Sequence, residues 1–506
     1  MMFFTEVLCM KKYTRQALTF LLTAAMLLPA VSCGNSSVQE TDTSAAQTEA
    51  DAAETVETET EVTCDLPDTD WGGRTFTVLG FSDGVYAERE NFEIIAEEMT
   101  GEVVNDAIFT RNSNIEEKYN AVIAQSLVSD IVNKLNSSVM AGDNLYDLAF
   151  NNTHDICNMT NKGLLLDMYA INHMDFTKPY WNQHVNETVS VLNKLYFTSS
   201  DFAPRDKSRA YIIIYNRDLA NANGLENPVS LVDEGTWTMD AMRKMSETVA
   251  HDVNGDGVMG EGDVYGLAMD SYNAFASFVI ASQNITWAKN SSDEIVVALN
   301  TEHLVNTVDK ALALSCNTEM AFFCNDMQGK VSYDYWESAP VMFKEGDVLF
   351  LTDFPFILAE LSEGCEFEYG ILPFPKYDES QTVYQTMGDV WAMLFGIPAC
   401  AADPDFSGFM LEALSYESTD TSLNAYLEVS CKRKHIYDED SARMLDLTFD
   451  NVVYDPAMIY NFGGMFNIIN DALPKAKENT FASLYAAKAE AEEKFIANLM
   501  KTIAEQ

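Results

Sequence analysis

Residues 252–263 carry the clearest chemical pattern in the sequence, D-x-N-x-D-G with a carboxylate at the twelfth position. Ca²⁺ takes about six to eight oxygen ligands, and alternate positions of such a loop turn inward while the glycine permits a sharp bend. Five residues would supply the oxygens, the fourth through its backbone carbonyl: Asp252, Asn254, Asp256, Val258 and Asp263. We predict a structural calcium site here, with Glu261 in reserve. The alternative is a surface turn rich in Asp, Asn and Gly that binds no metal.

The same stretch contains G-x-G-x-x-G at Gly255, Gly257 and Gly260, the spacing of a dinucleotide-binding loop. No strand pattern leads into it, and the carboxylates of Asp256 and Glu261 would repel a pyrophosphate. We therefore do not expect a nucleotide to bind there.

Other catalytic and metal-binding motifs are missing from the sequence. It contains no G-x-S-x-G, H-E-x-x-H or P-loop pattern, and its 6 histidines show no metal-ligand spacing. The 9 cysteines are scattered without a C-x-x-C pair, which argues against a zinc ribbon or a redox centre. Cys316 and Cys324 are the nearest pair for a disulfide, and free buried thiols are the other interpretation.

The overall charge excludes a further class of partner. The chain has 506 residues, with 31 Lys and Arg against 78 Asp and Glu, so its formal net charge is −47. A surface this acidic repels phosphate backbones, and we expect no nucleic-acid partner. Hydrophobic residues make up 47% of the chain, which is enough apolar surface to fold two or three domains.

The first 65 residues have the pattern of a secretory signal followed by a disordered tether. From Met10, a basic start is followed by an apolar stretch over 17–31, which predicts a secretory signal over 1–32. Ala30-Val31-Ser32-Cys33 resembles a bacterial lipobox, so we expect Cys33 to be acylated and anchored; an ordinary signal with an incidental cysteine is the alternative. Residues 33–65 are then the lipidated cysteine and an acidic, disordered tether.

Strand and helix patterns alternate along the rest of the chain. Within 71–79 a turn signal leads into an alternating strand, and apolar runs predict further strands at 146–150, 211–215, 348–351 and 370–373. Apolar residues at helical spacing predict helices over 103–119, 240–249, 302–313 and 481–503. This interleaving is typical of α/β layers.

Several short motifs follow one another in a family-specific order. The principal ones span 211–219, with Gly224-Leu225, Pro228 and the Thr236-Trp237 pair that opens a helix, and further ones lie at 344–347, 369–376 and 397–398. On these residues the chain resembles the extracellular solute-binding proteins of ABC transporters, family 1, sugar-binding type. Through 104–107, 111–112, 178–181 and 444–446 it is most similar to a lipoprotein branch from Clostridia-like bacteria.

The resemblance implies an α/β fold of the type II periplasmic-binding-protein kind, with two lobes joined by a hinge around a ligand cleft. It places lobe 1 at 66–204 plus 380–429 and lobe 2 at 205–379 plus 430–506. It also implies a monomer that captures a carbohydrate, with oligosaccharides foremost, and delivers it to ABC permease transmembrane subunits at the extracellular face of the cell membrane. The protein would touch that membrane only through its lipid anchor.

A saccharide site needs aromatic faces for stacking and polar side chains for hydrogen bonds in the ring plane. Neighbouring residue types and position in the resembled family select eight candidates: Asp201, Tyr272, Trp336, Asp353, Phe356, Asp389, Trp391 and Tyr460. We expect Trp391 and Phe356 to sandwich the solute, while Asp353 and Asp389 accept hydrogen bonds from hydroxyl groups.

Two other functions fit parts of the sequence. A cell-surface glycoside hydrolase would need two carboxylates flanking a bond, and 78 acidic residues make such pairs uninformative. A noncatalytic adhesin would use the same tether. We expect a binding protein and not an enzyme.

Overall fold

The apolar runs of the chain form strands in two separate sheets of a computed structural model. The model describes residues 62–82, 84, 91–204, 207, 209–283, 287–427 and 438–505. The predicted signal, Cys33 and most of the acidic tether lie outside the described residues. Residues from Glu61 to Gln506 form one compact unit.

The strands are β1 Arg74–Phe81, β2 Ala121–Val128, β3 Leu148–Asn152, β4 Ile212–Asn216, β5 Tyr265–Met269, β6 Trp287–Lys289, β7 Ile295–Val297, β8 Ala321–Phe323, β9 Val348–Asp353, β10 Tyr369–Leu372, β11 Thr386–Met387, β12 Met393–Gly396 and β13 Val452–Val453. The α-helices are Val103–Tyr119, Ile131–Ala141, Thr153–Asn161, Gln183–Val189, Arg217–Ala222, Pro228–Asp233, Met239–Val249, Asn273–Ala281, Glu302–Ser315, Ser338–Glu345, Ile357–Gly364, Pro404–Ser418, Glu439–Phe449, Pro456–Tyr460, Leu473–Ala476 and Phe481–Glu505.

The first sheet has the order β12-β3-β1-β2. Strands β1, β2 and β3 are parallel, and β12 returns from far along the chain to pair antiparallel with β3. The helices Val103–Tyr119 and Pro404–Ser418 pack together beside this sheet. Their contact is aromatic: Tyr119 meets Phe409 edge to face at 4.9 Å between ring centroids.

The helix Val103–Tyr119 follows directly from its sequence. Its buried apolar residues recur every three to four positions at Val104, Ile108, Ile115 and Tyr119, so one face meets the core. The Glu102 side chain accepts a hydrogen bond from the backbone N–H of Asn105, which caps the first turn.

The second sheet has the order β10-β4-β9-β5-β8. Strand β5 is parallel to β8 and β9, whereas β4 is antiparallel to both β9 and β10. Every residue of β4, β5 and β9 is buried. Strands covered on both faces read as continuous apolar runs, which is why these segments lack polar alternation.

The C-terminal helix contacts helices from two distant parts of the chain. The helix Phe481–Glu505 packs against the turn at 462–464 and contacts the helices Thr153–Asn161 and Glu302–Ser315. None of the described helices has the length and apolar character needed to cross a membrane. The described cysteines, Cys316 and Cys324 among them, are free thiols.

Candidate functional site

Three chain segments, 209–211, 386–389 and 452–454, lie side by side between the two sheets. The middle segment forms an antiparallel bridge from Gly388 to Ala210 and a parallel strand pair with the third segment. The first leads into β4, and the second leads from the second sheet to β12 in the first. We call these three segments the hinge, because movement of one lobe against the other must bend them.

Gly388 lets two hinge segments approach closely. A Cβ atom at this position would lie 2.3 Å from Cε1 and 2.5 Å from Cζ of Tyr454. The Tyr454 ring is fully buried, and carbon atoms in contact ordinarily stay about 3.5 Å or more apart. Any side chain beyond hydrogen at position 388 would therefore displace the third segment of the hinge.

A pocket of about 270 Å³ opens beside the hinge. Asn152 and Asp155 come from the end of β3 and the first turn of the helix behind it, and Asn273 begins the helix Asn273–Ala281 beyond β5. The lining residues come from four separated parts of the chain: Asn152, Asp155, Asn273, Val390, Trp391, Phe466, Asn467 and Asn470. We call this cavity the cleft pocket.

Local hydrogen bonds fix the walls of the cleft pocket. The Asn152 side chain accepts from the backbone N–H of Asp155 at 2.8 Å and caps its helix. Thr153 donates its hydroxyl to the carbonyl of Val390 at 2.7 Å, which holds the turn that carries Trp391. Trp391 is 36% exposed, so its indole faces the opening.

The cleft pocket has the composition that suits a polar ring. Trp391 and Phe466 supply aromatic surface, and four asparagines supply amide donors and acceptors. Asn470 donates to the side-chain oxygen of Asn273 at 3.3 Å, while its own Oδ1 is buried and has no hydrogen-bond partner. Buried polar atoms are normally paired, so this acceptor is available to a ligand.

Three aspartates lie at the hinge side of the second sheet. Asp270 follows β5 and Asp353 ends β9, and these parallel neighbours pair Met269 with Thr352, so the two carboxylates leave the sheet together. Asp389 belongs to the hinge and forms an ion pair with Arg209, with 3.4 Å between Oδ2 and Nη1. We call Asp270, Asp353 and Asp389 the aspartate cluster.

Burial dominates the electrostatics of the aspartate cluster. It raises the pKa of Asp270 well above its ordinary value, and the negative charge of Asp353 adds to that increase. Burial also raises the pKa of Asp353. The hydroxyl groups of Tyr211 and Ser271 donate to Asp270 Oδ2 at 3.2 and 2.9 Å and stabilise its charged form only in part.

An aromatic patch borders the aspartate cluster. Phe354 stacks on Phe356 with 5.6 Å between centroids, and Tyr211 lies 4.2 Å from Phe354. The Arg209 guanidinium lies 5.2 Å from the Phe356 ring, which is 45% exposed. The structure thus brings together three of the predicted ligand residues, Asp353, Phe356 and Asp389, and places Trp391 in the adjoining cleft pocket.

The other four candidates lie elsewhere. Tyr460 is 2% exposed in the core and stacks on Phe462. Asp201 accepts a hydrogen bond from Thr419 at 2.7 Å, and Tyr272 donates its hydroxyl to Asp326 at 2.9 Å. Trp336 is 50% exposed and stacks on its neighbour Tyr335. None of these side chains lines the cleft pocket as the described residues form it.

The predicted calcium loop is folded around its own amide groups. Asp252 accepts from the backbone N–H groups of Gly255 and Gly257, each at 2.7 Å, and Asp263 accepts from Val253 and Gly260. The side chain of Asn254 accepts from the backbone N–H of Asp256, and the side chain of Asp256 accepts from that of Val258 at 2.8 Å. Within the described residues, no three His, Cys, Asp or Glu side chains converge in a metal-binding group. The predicted metal ligands of the loop are all oxygen atoms, which suits Ca²⁺. Calcium binding by this loop stays a prediction.

Comparison with solved structures supports the architecture. The sugar-binding protein MalE from Xanthomonas citri is 12% identical, with 85% of this chain and 99% of that chain covered at a TM-score of 0.56. A sugar transporter from Rhizobium etli in an open conformation is 13% identical over 85% and 99%, with a TM-score of 0.53. An ABC substrate-binding protein from Listeria monocytogenes in complex with cycloalternan is 14% identical over 85% and 99%, with a TM-score of 0.50.

At these identities the similarity shows the fold. The structural neighbours are sugar-binding proteins of the ABC type, and the chain has their two α/β lobes of the type II periplasmic-binding-protein kind, joined by a hinge with a cleft between them. The fold class predicted from the sequence is therefore confirmed. No family model matches the chain, and no curated protein matches it in sequence.

Proposed function

We propose that this protein is the substrate-binding lipoprotein of an ABC importer and that it captures a saccharide between its lobes. One observation carries the proposal: Trp391, Phe466 and four asparagines surround a pocket beside the hinge of a fold shared with sugar-binding proteins. An aromatic face with amide groups around it fits the weakly apolar ring and the hydroxyl groups of a sugar. Oligosaccharides are the leading class.

The remaining parts of the proposal concern place and partners. Acylated Cys33 would hold the protein at the extracellular face of the cell membrane, and the acidic tether would keep its body away from the lipid. Two permease subunits would receive the closed form, because closure around a solute changes the surface that both lobes present. Calcium in the loop 252–263 would be structural.

A thermal-shift screen, followed by affinity measurements on variants, tests the binding site. The purified protein is screened by thermal shift against mono- and oligosaccharides, since a ligand bound only by the native state raises its stability. For a sugar that raises the melting temperature, Trp391→Ala should lower affinity at least tenfold, because stacking area is lost. Phe356→Ala should act in the same direction.

Trp336→Ala is the matched control. Trp336 is an exposed tryptophan outside the cleft pocket, so its removal should leave affinity within twofold. Full affinity in the Trp391→Ala variant would reject the site. Failure of every saccharide to stabilise the protein would reject saccharide binding, and turnover of chromogenic glycosides would reveal a hydrolase instead.

A further inference from the structure

Two neighbouring carboxylates of the aspartate cluster lack a cation. In the part of the chain that the structure describes, neither Asp270 nor Asp353 forms an ion pair. Asp353 is 6% exposed, and its hydrogen-bond donor is the backbone N–H of Phe354. Asp270 Oδ1 is buried and has no partner at all. Buried carboxylates are ordinarily paired with a cation or fully hydrogen-bonded.

Burial raises the pKa of Asp353 and the charge of Arg209 offsets part of that increase, but the ion pair of Arg209 is with Asp389. The Arg209 guanidinium lies beside the Phe356 ring. Among the described residues, Asp270 and Asp353 therefore have no ion-pair partner of their own, and a cation that enters the cleft would supply one.

Hydrogen bonds link one of the unpaired carboxylates to a wall of the cleft pocket. The Ser271 hydroxyl donates to Asp270 and accepts from the backbone N–H of Asn273, a wall residue of the pocket, at 3.3 Å. The pocket adds the carboxylate of Asp155 and the unpartnered Oδ1 of Asn470, and its described lining contains no lysine or arginine. The unpartnered side-chain oxygens of Asp270 and Asn470 are both acceptors.

We propose that the captured solute is a saccharide bearing a protonated amine, and that Asp270 and Asp353 bind its ammonium group. This inference rests on the proposed function and names the substrate class of the same cleft. An ammonium group supplies three N–H donors and a full positive charge, so it satisfies the orphaned oxygen and offsets the repulsion between the carboxylates. A hydroxyl group supplies one donor and no charge.

The electrostatics of Asp270 and Asp353 agree with this assignment. Burial raises the pKa of both aspartates, and the positive charge of a bound cation would offset the cost of keeping them ionised. Phe354 and Phe356 place apolar surface beside the carboxylates, and a less polar environment strengthens their attraction to a cation.

A matched series of sugars tests the proposal by isothermal titration calorimetry at pH 7. The probes are glucosamine, glucose and N-acetylglucosamine and their β-1,4-linked trimers, which differ at C2 in an ammonium, a hydroxyl or an acetamide group. The amine form should bind at least tenfold more tightly than its neutral partners. Asp270→Asn and Asp353→Asn should each reduce that preference, the ratio of amine to neutral affinity, to threefold or less.

Asp347→Asn is the matched control, because Asp347 is a half-buried aspartate at the opposite end of β9. It should keep the full preference for the amine. Circular dichroism confirms that the asparagine variants are folded.

The outcomes separate the two proposals. Equal or tighter binding of the neutral forms, or a preference that survives both asparagine variants, overturns the amine assignment while saccharide capture stands. Binding of spermidine without binding of any sugar in the series overturns the saccharide assignment. Absence of binding by every sugar of the series and of the thermal-shift screen overturns the proposed function itself.

Discussion

Substituting Gly388 by alanine should destabilise the protein through a single steric contact in the hinge. The added Cβ would lie 2.3 Å from Cε1 of the buried Tyr454 ring. Hydrogen bonds fix both backbones, since Gly388 donates to Val453 at 3.0 Å and Asp389 donates to Arg209 at 2.8 Å. Overpacking ordinarily costs about 1–3 kcal/mol, and a rigid ring between paired strands favours the upper end, about 3 kcal/mol.

The expected change in melting temperature follows from the size of the folded unit. Unfolding entropy is about 2.1 cal/mol/K per residue, so for the unit from Glu61 to Gln506 a change of 1 kcal/mol corresponds to about 1 °C. Gly388→Ala should therefore lower the melting temperature by about 3 °C in a calorimetric scan. Gly260→Ala is the control, because nothing lies within 4 Å of its Cβ position and its backbone is not left-handed.

A double variant identifies the cause. Tyr454→Ala alone should cost about 3–5 kcal/mol through the cavity it leaves. In that background the ring is gone, so Gly388→Ala should cost less than about 0.5 kcal/mol. If Gly388→Ala lowers the melting temperature equally with and without the ring, or fails to lower it in the wild type, the steric argument is wrong.

Two further outcomes concern the calcium loop and a buried acid. Calcium at a hundredfold excess over its dissociation constant should stabilise the wild type by about 2.7 kcal/mol and so raise its melting temperature. It should not stabilise Asp252→Ala. An equal response of both proteins would dismiss the site. Burial raises the pKa of Glu492 from 4.5 to about 7, so the folded state holds a proton that the unfolded state releases, and this group lowers stability as pH rises from about 4.5 to 7. Glu492→Gln should melt higher than the wild type at pH 8 and close to it at pH 5, and an unchanged difference between the two pH values would contradict this reasoning.

Periodic segments of the fold could be predicted from the sequence. The helix predicted over 103–119 is Val103–Tyr119, and the strand predicted over 348–351 is the start of Val348–Asp353. These elements bury one face or two, and that burial leaves its period in the sequence. The strand predicted over 146–150 begins two residues later, at Leu148, because strand pairing and not apolar character alone sets the boundary.

The site was only partly accessible to the same reasoning. Asp353 and Phe356 were predicted from their position in the resembled family and Asp389 from its neighbour Trp391, and the structure gathers the three at the hinge. Asn467 and Asn470 went unrecognised, since they lie in a stretch without strand or amphipathic pattern and reach the cleft only through long-range packing.

Two further residues show what composition hides. Asn152 carried a usable signal, namely its place at the end of a buried strand and three residues before Asp155. Tyr460 shows the opposite case, because an aromatic side chain reads the same whether it packs in the core or faces a ligand.

The late return of β12 to the first sheet determines when that sheet can be completed during synthesis of the chain. Strand β3 ends at Asn152, but the strand that covers its edge begins at Met393, some 240 residues afterwards. A nascent polypeptide therefore presents an incomplete sheet, with one edge exposed, until most of its length has been synthesised. Chains that stall before this point would be the ones vulnerable to aggregation and to proteases, and a chaperone that holds unfolded chains would act mainly at that stage.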